Sequence, residues 1–442
     1  MLRSIAKKFK VSAEKYIPDA FIFAIILTLI TYLMGIIIAG KGPFELVGFW
    51  YNGFWNFLAF SMQMAVILLT GFALATSPPV QRLIKKVASM PKGPNSAIVI
   101  TVLFSAAGAW VNWGFGLVLG SIFAREIAKR VKGVDYPILV AAAYSGFIAG
   151  LPASLSITAP LLVNTPGHFL EDAVGLIPLQ ATIFSPVLLG TAIVTTILVA
   201  WAYRNMIPTK KEEIRVLDVS TIEESAPALE PAVGEITIAN KLENSAILNY
   251  IIVAGGFSWI IYHFATNGFD LNLNFVNFFF LFLGLALHKT PKSYISAFQK
   301  GAGAAGPIIL QFPFYAGIQG IMASSGLIVI ISGWFVSIST GTTLPFWSYV
   351  SACIVNFFVP SAGGQWIVQG PIMVEAAKTL SVAPSAMVNS VTLGDVTTNL
   401  IQPFWALPAL GIAKLGIKDI WGYCLVAMII MFVVGSAFVL IF

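Results

Sequence analysis

Charged residues are scarce in this chain of 442 residues. Asp, Glu, Lys and Arg make up 10% of the sequence, while 58% of it is hydrophobic. An ordinary soluble domain has about 25% charged residues. No charged residue occurs between Lys300 and Glu375. An uncharged stretch of that length excludes a water-soluble domain of ordinary size and predicts an integral membrane protein, with the lipid bilayer as a partner.

Cysteine and histidine are also rare. Cys353 and Cys424 both lie in apolar segments, which argues against a disulfide framework or a thiolate metal site. The three histidines are far apart in the sequence, so a histidine metal cluster is not expected. The spacings of a nucleophile with its base, of paired acids or of metal ligands do not appear. We therefore predict that the protein is not an enzyme and has no resident cofactor.

Basic residues cluster in short loops and indicate orientation. The clusters span residues 3–10, 82–92, 125–132, 204–215, 288–300 and 414–418. By the positive-inside rule these loops are cytoplasmic, and the net charge of +6 does not indicate a nucleic-acid partner. The N-terminus is then predicted to be cytoplasmic and the C-terminus external.

One long hydrophilic segment, residues 204–245, divides the chain into two hydrophobic parts. It has too few apolar residues to bury against a core, so we predict a cytoplasmic linker. Residues 1–203 then form a first transmembrane repeat. Residues 246–442 contain an extra span followed by a second repeat.

The apolar run at residues 95–124 has basic loops at both ends. About 30 residues are too few for two spans of about 20 residues each. A re-entrant hairpin that enters from the cytoplasm, turns at residues 112–116 and returns to the cytoplasm satisfies both observations. The alternative is one long tilted helix that breaks the positive-inside rule.

The second half repeats this plan in the opposite orientation. A hairpin at residues 347–374 is predicted to turn at residues 359–364, and no basic residue lies near its mouth. A long segment interrupted by polar residues and proline follows each hairpin, with the interruptions at residues 150–156 and 395–403. A predicted interfacial helix precedes each hairpin, at residues 80–89 and 327–339. The predicted fold is an all-α polytopic membrane protein with two inverted repeats, each with a re-entrant hairpin and a broken helix, and about nine full spans.

Asp395 is the only charged residue between Lys378 and Lys414, and the sequence places it at the second interruption. Acids inside the membrane are costly and tend to be functional. Asp395 could coordinate Na+ together with Thr398 and freed backbone carbonyls, or it could bind and release a proton. The structural alternatives are a cap for a half-helix or a side chain that reaches the membrane rim.

The hairpin tips and interruptions supply the remaining candidates for a binding site. A helix that starts at Ser361 presents backbone N–H groups and a hydroxyl, which suit a small carboxylate. No Lys or Arg is available inside the broken segments, so the anion is expected to be small and monovalent. The predicted substrate-binding residues are Asn112, Gly114, Ser154, Ser156, Asn356, Ser361, Gly363, Gly364, Gln365, Asn399 and Gln402. If the coupling ion is Na+, its predicted site is near Asn112, Asn356 and Asp395; otherwise Asp395 carries the proton. Capping of the local turns is the alternative role for these side chains.

Long motifs at these positions resemble one family. They include residues 54–64, 112–126, 287–291, 311–319, 360–371 and 402–408. These segments resemble the bacterial short-chain fatty acid transporter family, of the acetoacetate and butyrate uptake type, within the ion transporter superfamily. The resemblance implies uptake of short-chain monocarboxylates across the inner membrane. Relatives in the superfamily further imply a homodimer and an elevator-like motion.

These observations together predict a secondary active transporter. Its substrate is predicted to be a short-chain fatty acid or keto analogue, carried inward by symport with Na+ or H+. A carrier or antiporter of another small carboxylate or an amino acid is the alternative in the same class. A channel is disfavoured, because neither a ring of repeated charges nor a filter motif is visible.

Overall fold

The computed structural model describes residues 20–208, 214–217, 237–356, 359 and 361–442. The described chain is built from helices, and no strand occurs within these ranges. The helices are α1 (Ala20–Ile37), α2 (Pro43–Phe54), α3 (Leu58–Thr76), α4 (Pro78–Ala88), α5 (Pro94–Val111), α6 (Trp113–Arg130), α7 (Tyr136–Gly150), α8 (Thr158–Val163), α9 (Glu171–Val174), α10 (Thr191–Arg204), α11 (Ile238–Glu243), α12 (Ala246–Asn267), α13 (Leu273–His288), α14 (Pro291–Gly301), α15 (Gly306–Ser325), α16 (Leu327–Ile338), α17 (Leu344–Val355), α18 (Ala362–Thr379), α19 (Pro384–Thr398), α20 (Pro403–Ala413) and α21 (Ile417–Ile441).

Six helices of the described chain are long and apolar enough to cross a membrane. A seventh crossing is available if the pair α15 and α16, bent by 81°, counts as one broken span. Helix α13 is apolar but only 16 residues long, shorter than the roughly 20 residues that a full crossing needs. An all-helical membrane fold is therefore confirmed. The number of nine spans and the inverted relation of the two halves stay predictions.

Helices α5 and α6 form the first hairpin. The rings of Phe104 and Phe123 lie 4.4 Å apart, centroid to centroid, and a Cβ added at Gly108 would lie 3.3 Å from the Cα of Gly116. These pairs are arranged symmetrically about Asn112, so α6 runs back along α5. The predicted turn is confirmed, and one continuous long helix is wrong. The turn occurs here because Asn112 is extended, with φ −159° and ψ 132°, and its side chain caps α6 by accepting from the N–H of Phe115.

Helices α17 and α18 form the second hairpin. Gln365 Nε2 donates to the Ala352 carbonyl at 2.9 Å, and Gln369 Nε2 donates to Ser351 Oγ at 2.7 Å. Two antiparallel helices therefore flank the connection from Val355 to Ala362, and the predicted turn at 359–364 overlaps the first turn of α18. Residues 357, 358 and 360 of this connection lie outside the described residues.

Both predicted interruptions are present, but the second begins later than expected. Helix α7 ends at Gly150, and α8 starts at Thr158 after a short 3-10 turn with Pro152 at its centre. The prediction of unwinding at Asp395 is wrong, because α19 continues to Thr398 and the N–H of Asn399 still donates to the Asp395 carbonyl at 3.2 Å. No proline interrupts the helix before Pro403, so Asp395 stays inside the last turn of α19.

The linker prediction falls mostly on residues outside the described ranges, namely 209–213 and 218–236. Its described part at residues 214–217 is anchored and not free. Arg215 pairs with Asp419 at 2.6 Å, and its backbone N–H donates to Asp135 Oδ1 at 2.8 Å. This piece of the linker therefore packs against the start of both α7 and α21.

Candidate functional site

One cavity lies where both hairpin tips and both helix interruptions meet. Its volume is about 30 Å³. Its walls combine a large apolar surface with four polar side chains. The lining residues are Met64, Trp113, Phe147, Leu151, Ile157, Thr158, Ile308, Phe312, Ser361, Ala362, Asp395, Asn399 and Trp405. Segments from the two halves of the chain therefore build a single amphipathic site.

The first tip is fastened to the first interruption by hydrogen bonds. The N–H of Trp113 donates to Ser156 Oγ at 2.8 Å, and the N–H of Leu155 donates to the Trp110 carbonyl at 2.8 Å. Ser154 Oγ lies 3.1 Å from Ser156 Oγ. Ser154 and Ser156 are fully buried and do not line the cavity, so they stabilise the first tip from outside the cavity wall.

The first tip also packs closely against α3. A Cβ at Gly114 would lie 2.9 Å from the Ile67 carbonyl oxygen, and one at Gly71 would collide with the backbone N of Phe115. Only glycine at both positions lets the two backbones approach this closely.

The second tip contacts the first interruption across the two halves. The N–H of Gly363 donates to Thr158 Oγ1 at 2.7 Å. Ser361 caps α18 by accepting from the N–H of Gly364 at 3.4 Å, and it also lines the cavity. Because Thr158 lines the cavity as well, this contact closes one side of the site.

Asp395 belongs to a buried cluster of amides and hydroxyls. Asn356 Nδ2 lies 2.8 Å from the Asp395 carbonyl oxygen, 2.9 Å from Thr398 Oγ1 and 3.0 Å from Asn399 Oδ1. Asn399 Nδ2 donates to Asp395 Oδ2 at 3.1 Å. The second hairpin is thus joined to the end of α19 through the Asn356 side chain, which contacts the Asp395 carbonyl and the side chains of Thr398 and Asn399.

Two buried oxygens of this cluster have no hydrogen-bond partner among the described residues. They are Asp395 Oδ1 and Asn356 Oδ1, on side chains that are 2% and 0% exposed. A buried acceptor without a partner costs about 1–3 kcal/mol. An oxygen-rich set of carboxylate, amide and hydroxyl groups suits a hard monovalent cation, or a proton on the carboxylate. Groups of three or more His, Cys, Asp or Glu that could hold a metal ion do not occur in the described part of the chain.

The predicted site residues divide into those that face the cavity and those that do not. Ser361, Asp395 and Asn399 line it. The others are buried around it and build the tips and interruptions: Asn112, Gly114, Ser154, Ser156, Asn356, Gly363, Gly364, Gln365, Thr398 and Gln402. Their direct contact with a substrate stays a prediction.

Sequence reasoning missed most of the apolar wall. Met64, Phe147, Ile308 and Phe312 look like ordinary residues of apolar helices, and no local signal distinguishes them. Leu151 and Ile157 lie in and directly after the predicted first interruption, but their apolar side chains did not suggest a binding role. Trp113 lies at the first hairpin tip and Trp405 follows the second interruption. Both line the cavity, and their rings meet edge to face with centroids 5.1 Å apart.

The whole chain, residues 1–442, matches the family model described as "Short chain fatty acid transporter". The chain belongs to this family. It is 39% identical over 438 residues to the "Putative short-chain fatty acid transporter" of Escherichia coli, covering 98% of this chain and 99% of that protein. It is 37% identical over 448 residues to the protein of the same name from Haemophilus influenzae, covering 99% of this chain and all of that protein. The resemblance inferred from the motifs is therefore confirmed.

A solved structure shares the fold at low sequence identity. The YdaH transporter of Alcanivorax borkumensis is 15% identical and aligns with a TM-score of 0.58, covering 96% of this chain and 98% of that one. Family membership and the apolar helices together make this chain a multi-pass membrane protein of a transporter family.

Proposed function

We propose that this protein is a symporter that carries a short-chain monocarboxylate, such as butyrate or acetoacetate, inward together with Na+ or H+. The observation that carries the proposal is the composition of the cavity wall. Nine apolar or aromatic side chains suit a short acyl chain, while Thr158, Ser361 and Asn399 can bind a carboxylate. Family membership supports the substrate class.

The substrate carboxylate is best accommodated at the second tip. Ser361 and Ala362 line the cavity at the start of α18. The N-terminus of a helix carries partial positive charge and favours an anion. The N–H groups of Gly363 and Gly364 already donate to Thr158 and Ser361, so the partial charge of the helix end and the hydroxyls of these two residues are what the carboxylate would meet. The acyl chain then lies against the aromatic and aliphatic wall.

Asp395 supplies the physical reason for coupling. A substrate carboxylate and an ionised Asp395 would both face one buried cavity. Two like charges about 4 Å apart repel by about 4 kcal/mol at an effective dielectric constant of 20. A cation held at the Asp395 carboxylate, or a proton on Asp395, would remove this repulsion, and Asn356 Oδ1 is a second buried acceptor in the same cluster. Substrate binding is then favoured only when the cation is present, which is the condition for symport.

Uptake by purified protein in proteoliposomes tests this function. Labelled butyrate should accumulate when an inward gradient of either Na+ or H+ is imposed and should equilibrate without accumulation when neither is imposed. Imposing each gradient separately identifies the cation. Accumulation that ignores both gradients would contradict the proposal.

A carrier of a small amino acid is the second candidate, because Asp395 could pair with an α-ammonium group. A competition assay distinguishes the two candidate functions. Butyrate and acetoacetate should inhibit labelled butyrate uptake, whereas an amino acid of similar size should not. Strong inhibition by the amino acid would favour the second candidate.

We further propose an elevator mechanism in a homodimer in the inner membrane. The hairpins and broken helices would form the moving transport domain, and α1–α3 with α12–α16 would form the scaffold. Support comes from the clustering of both tips and both interruptions around one site, which would move as a unit. The cytoplasmic N-terminus and external C-terminus belong to the same proposal.

A further inference from the structure

Helix α4 has a cationic face that is opposite its buried face. Arg82, Lys85 and Lys86 are all exposed, and residues spaced by three and four positions lie on one side of a helix. Ile84 and Ala88 are fully buried beneath them. The helix is therefore held against the protein by one side and presents three cations on the other.

These three cations form no ion pair with any described residue. Other basic clusters do have partners: Lys129 and Arg130 pair with Glu126 at 3.3 Å and 2.6 Å. The sequence around α4 offers no acid, because none occurs between Glu45 and Glu126. The positive charge of α4 is therefore available to an external anion.

Large apolar side chains are exposed beside the cations. Leu83 is 48% exposed and Met90 is 62% exposed. An exposed surface that combines cations with apolar groups matches the boundary between lipid headgroups and acyl chains. The adjacent helices α3 and α6 contact α4, so its position is defined by the transmembrane bundle.

We propose that α4 is a binding site for anionic phospholipid, with Arg82, Lys85 and Lys86 at the headgroup and Leu83 and Met90 against the acyl chains. A basic residue near an anionic bilayer surface contributes roughly fivefold in affinity, so three contribute roughly 100-fold. A soluble anion would gain from the cations but not from the apolar side chains.

Native mass spectrometry of the purified full-length chain, titrated with phosphatidylglycerol or phosphatidylcholine, tests this site. The wild type should retain phosphatidylglycerol preferentially. The triple variant Arg82→Gln, Lys85→Gln, Lys86→Gln should bind it roughly 100-fold more weakly. The matched control is Lys129→Gln, Arg130→Gln, Lys132→Gln, which removes the same charge from another basic cluster and should change binding less than about fivefold.

Equal weakening in the two triple variants would overturn the site, because it would reflect overall charge. So would equal retention of the two lipids by the wild type. If the triple variant does not fold, the three single variants replace it. Each should then weaken phosphatidylglycerol binding by about fivefold, and unchanged binding in all three would refute the proposal.

Discussion

At the scale of single residues, Asp395 is the only acid among the described residues that line the cavity, and one of its oxygens has no hydrogen-bond partner in the described part of the chain. Its neighbours Asn356 and Asn399 are amides that cannot take up a charge. If coupling depends on a cation or proton at this carboxylate, no other residue of the cavity wall can replace it.

We therefore expect Asp395→Asn to abolish gradient-driven accumulation of butyrate. The amide keeps the shape and removes both the repulsion and the cation or proton site, so the substrate should only equilibrate. Uptake in proteoliposomes with and without the driving gradient measures this. Asp172→Asn, which removes an exposed acid, is the control and should accumulate normally. Unchanged accumulation by Asp395→Asn would exclude the carboxylate from coupling.

Leu151 belongs to the apolar wall and should limit the length of the acyl chain. Leu151→Ala would open space for longer substrates, and one methylene in a hydrophobic pocket changes discrimination by about 10-fold or more. We expect the uptake ratio of hexanoate to butyrate to rise about 10-fold. Leu162→Ala truncates a buried leucine that does not line the cavity. This control variant should keep the wild-type uptake ratio of hexanoate to butyrate. An equal rise in both variants would argue against a role for Leu151 in selectivity.

At the scale of elements, the two hairpins were the more predictable part of the fold. Basic loops at both ends of a short apolar run, together with Asn112, Gly114 and Gly116, predicted a turn that the structure confirms. The end of α19 was less predictable. A polar run from Asp395 onward looks like an unwound segment, yet backbone hydrogen bonding continues until Thr398 because neighbouring elements supply partners for the polar side chains.

The close packing of the first hairpin against α3 depends on Gly71. We expect Gly71→Ala to displace the tip and destabilise the protein by about 1–3 kcal/mol, as overpacking typically does. The midpoint temperature of thermal unfolding of the purified protein should decrease, and the rate of butyrate uptake should decrease as well. Gly255→Ala in α12 is the matched control, because no atom lies within 4 Å of an added Cβ there. If the two variants unfold alike, close packing at Gly71 is not what holds the hairpin.

At the scale of the whole molecule, the proposed transport domain contacts the proposed scaffold beyond the end of α8. Asn164 Nδ2 donates to Asp270 Oδ1 at 2.9 Å, and the N–H of Leu273 donates to Thr165 Oγ1 at 3.2 Å. An elevator motion would have to break these contacts in each cycle.

Crosslinking this contact should stop transport. The background for this test is Cys353→Ala with Cys424→Ala. In that background, we expect the double variant Asn164→Cys with Asp270→Cys to lose uptake after treatment with a short crosslinker that joins two thiols through reducible disulfide bonds. A reducing agent should restore it. Each single cysteine variant serves as a control and should be unaffected. Full uptake by the crosslinked protein would contradict relative motion of the two parts.

The sequence alone determined the class of protein, the turn at Asn112 and the isolation of Asp395 as the only charged residue between Lys378 and Lys414. These depend on composition, helix-breaking residues and charge, which are local properties of the chain. Only the tertiary structure decided which segments meet. Thr158 contacts Gly363 across 205 positions and Asn356 contacts Asp395 across 39, and hydrogen bonds between distant segments leave no periodic signal in either one. The sequence does not reveal the apolar wall of the cavity for the same reason. Its side chains come from separate helices and line one cavity only after those helices pack together.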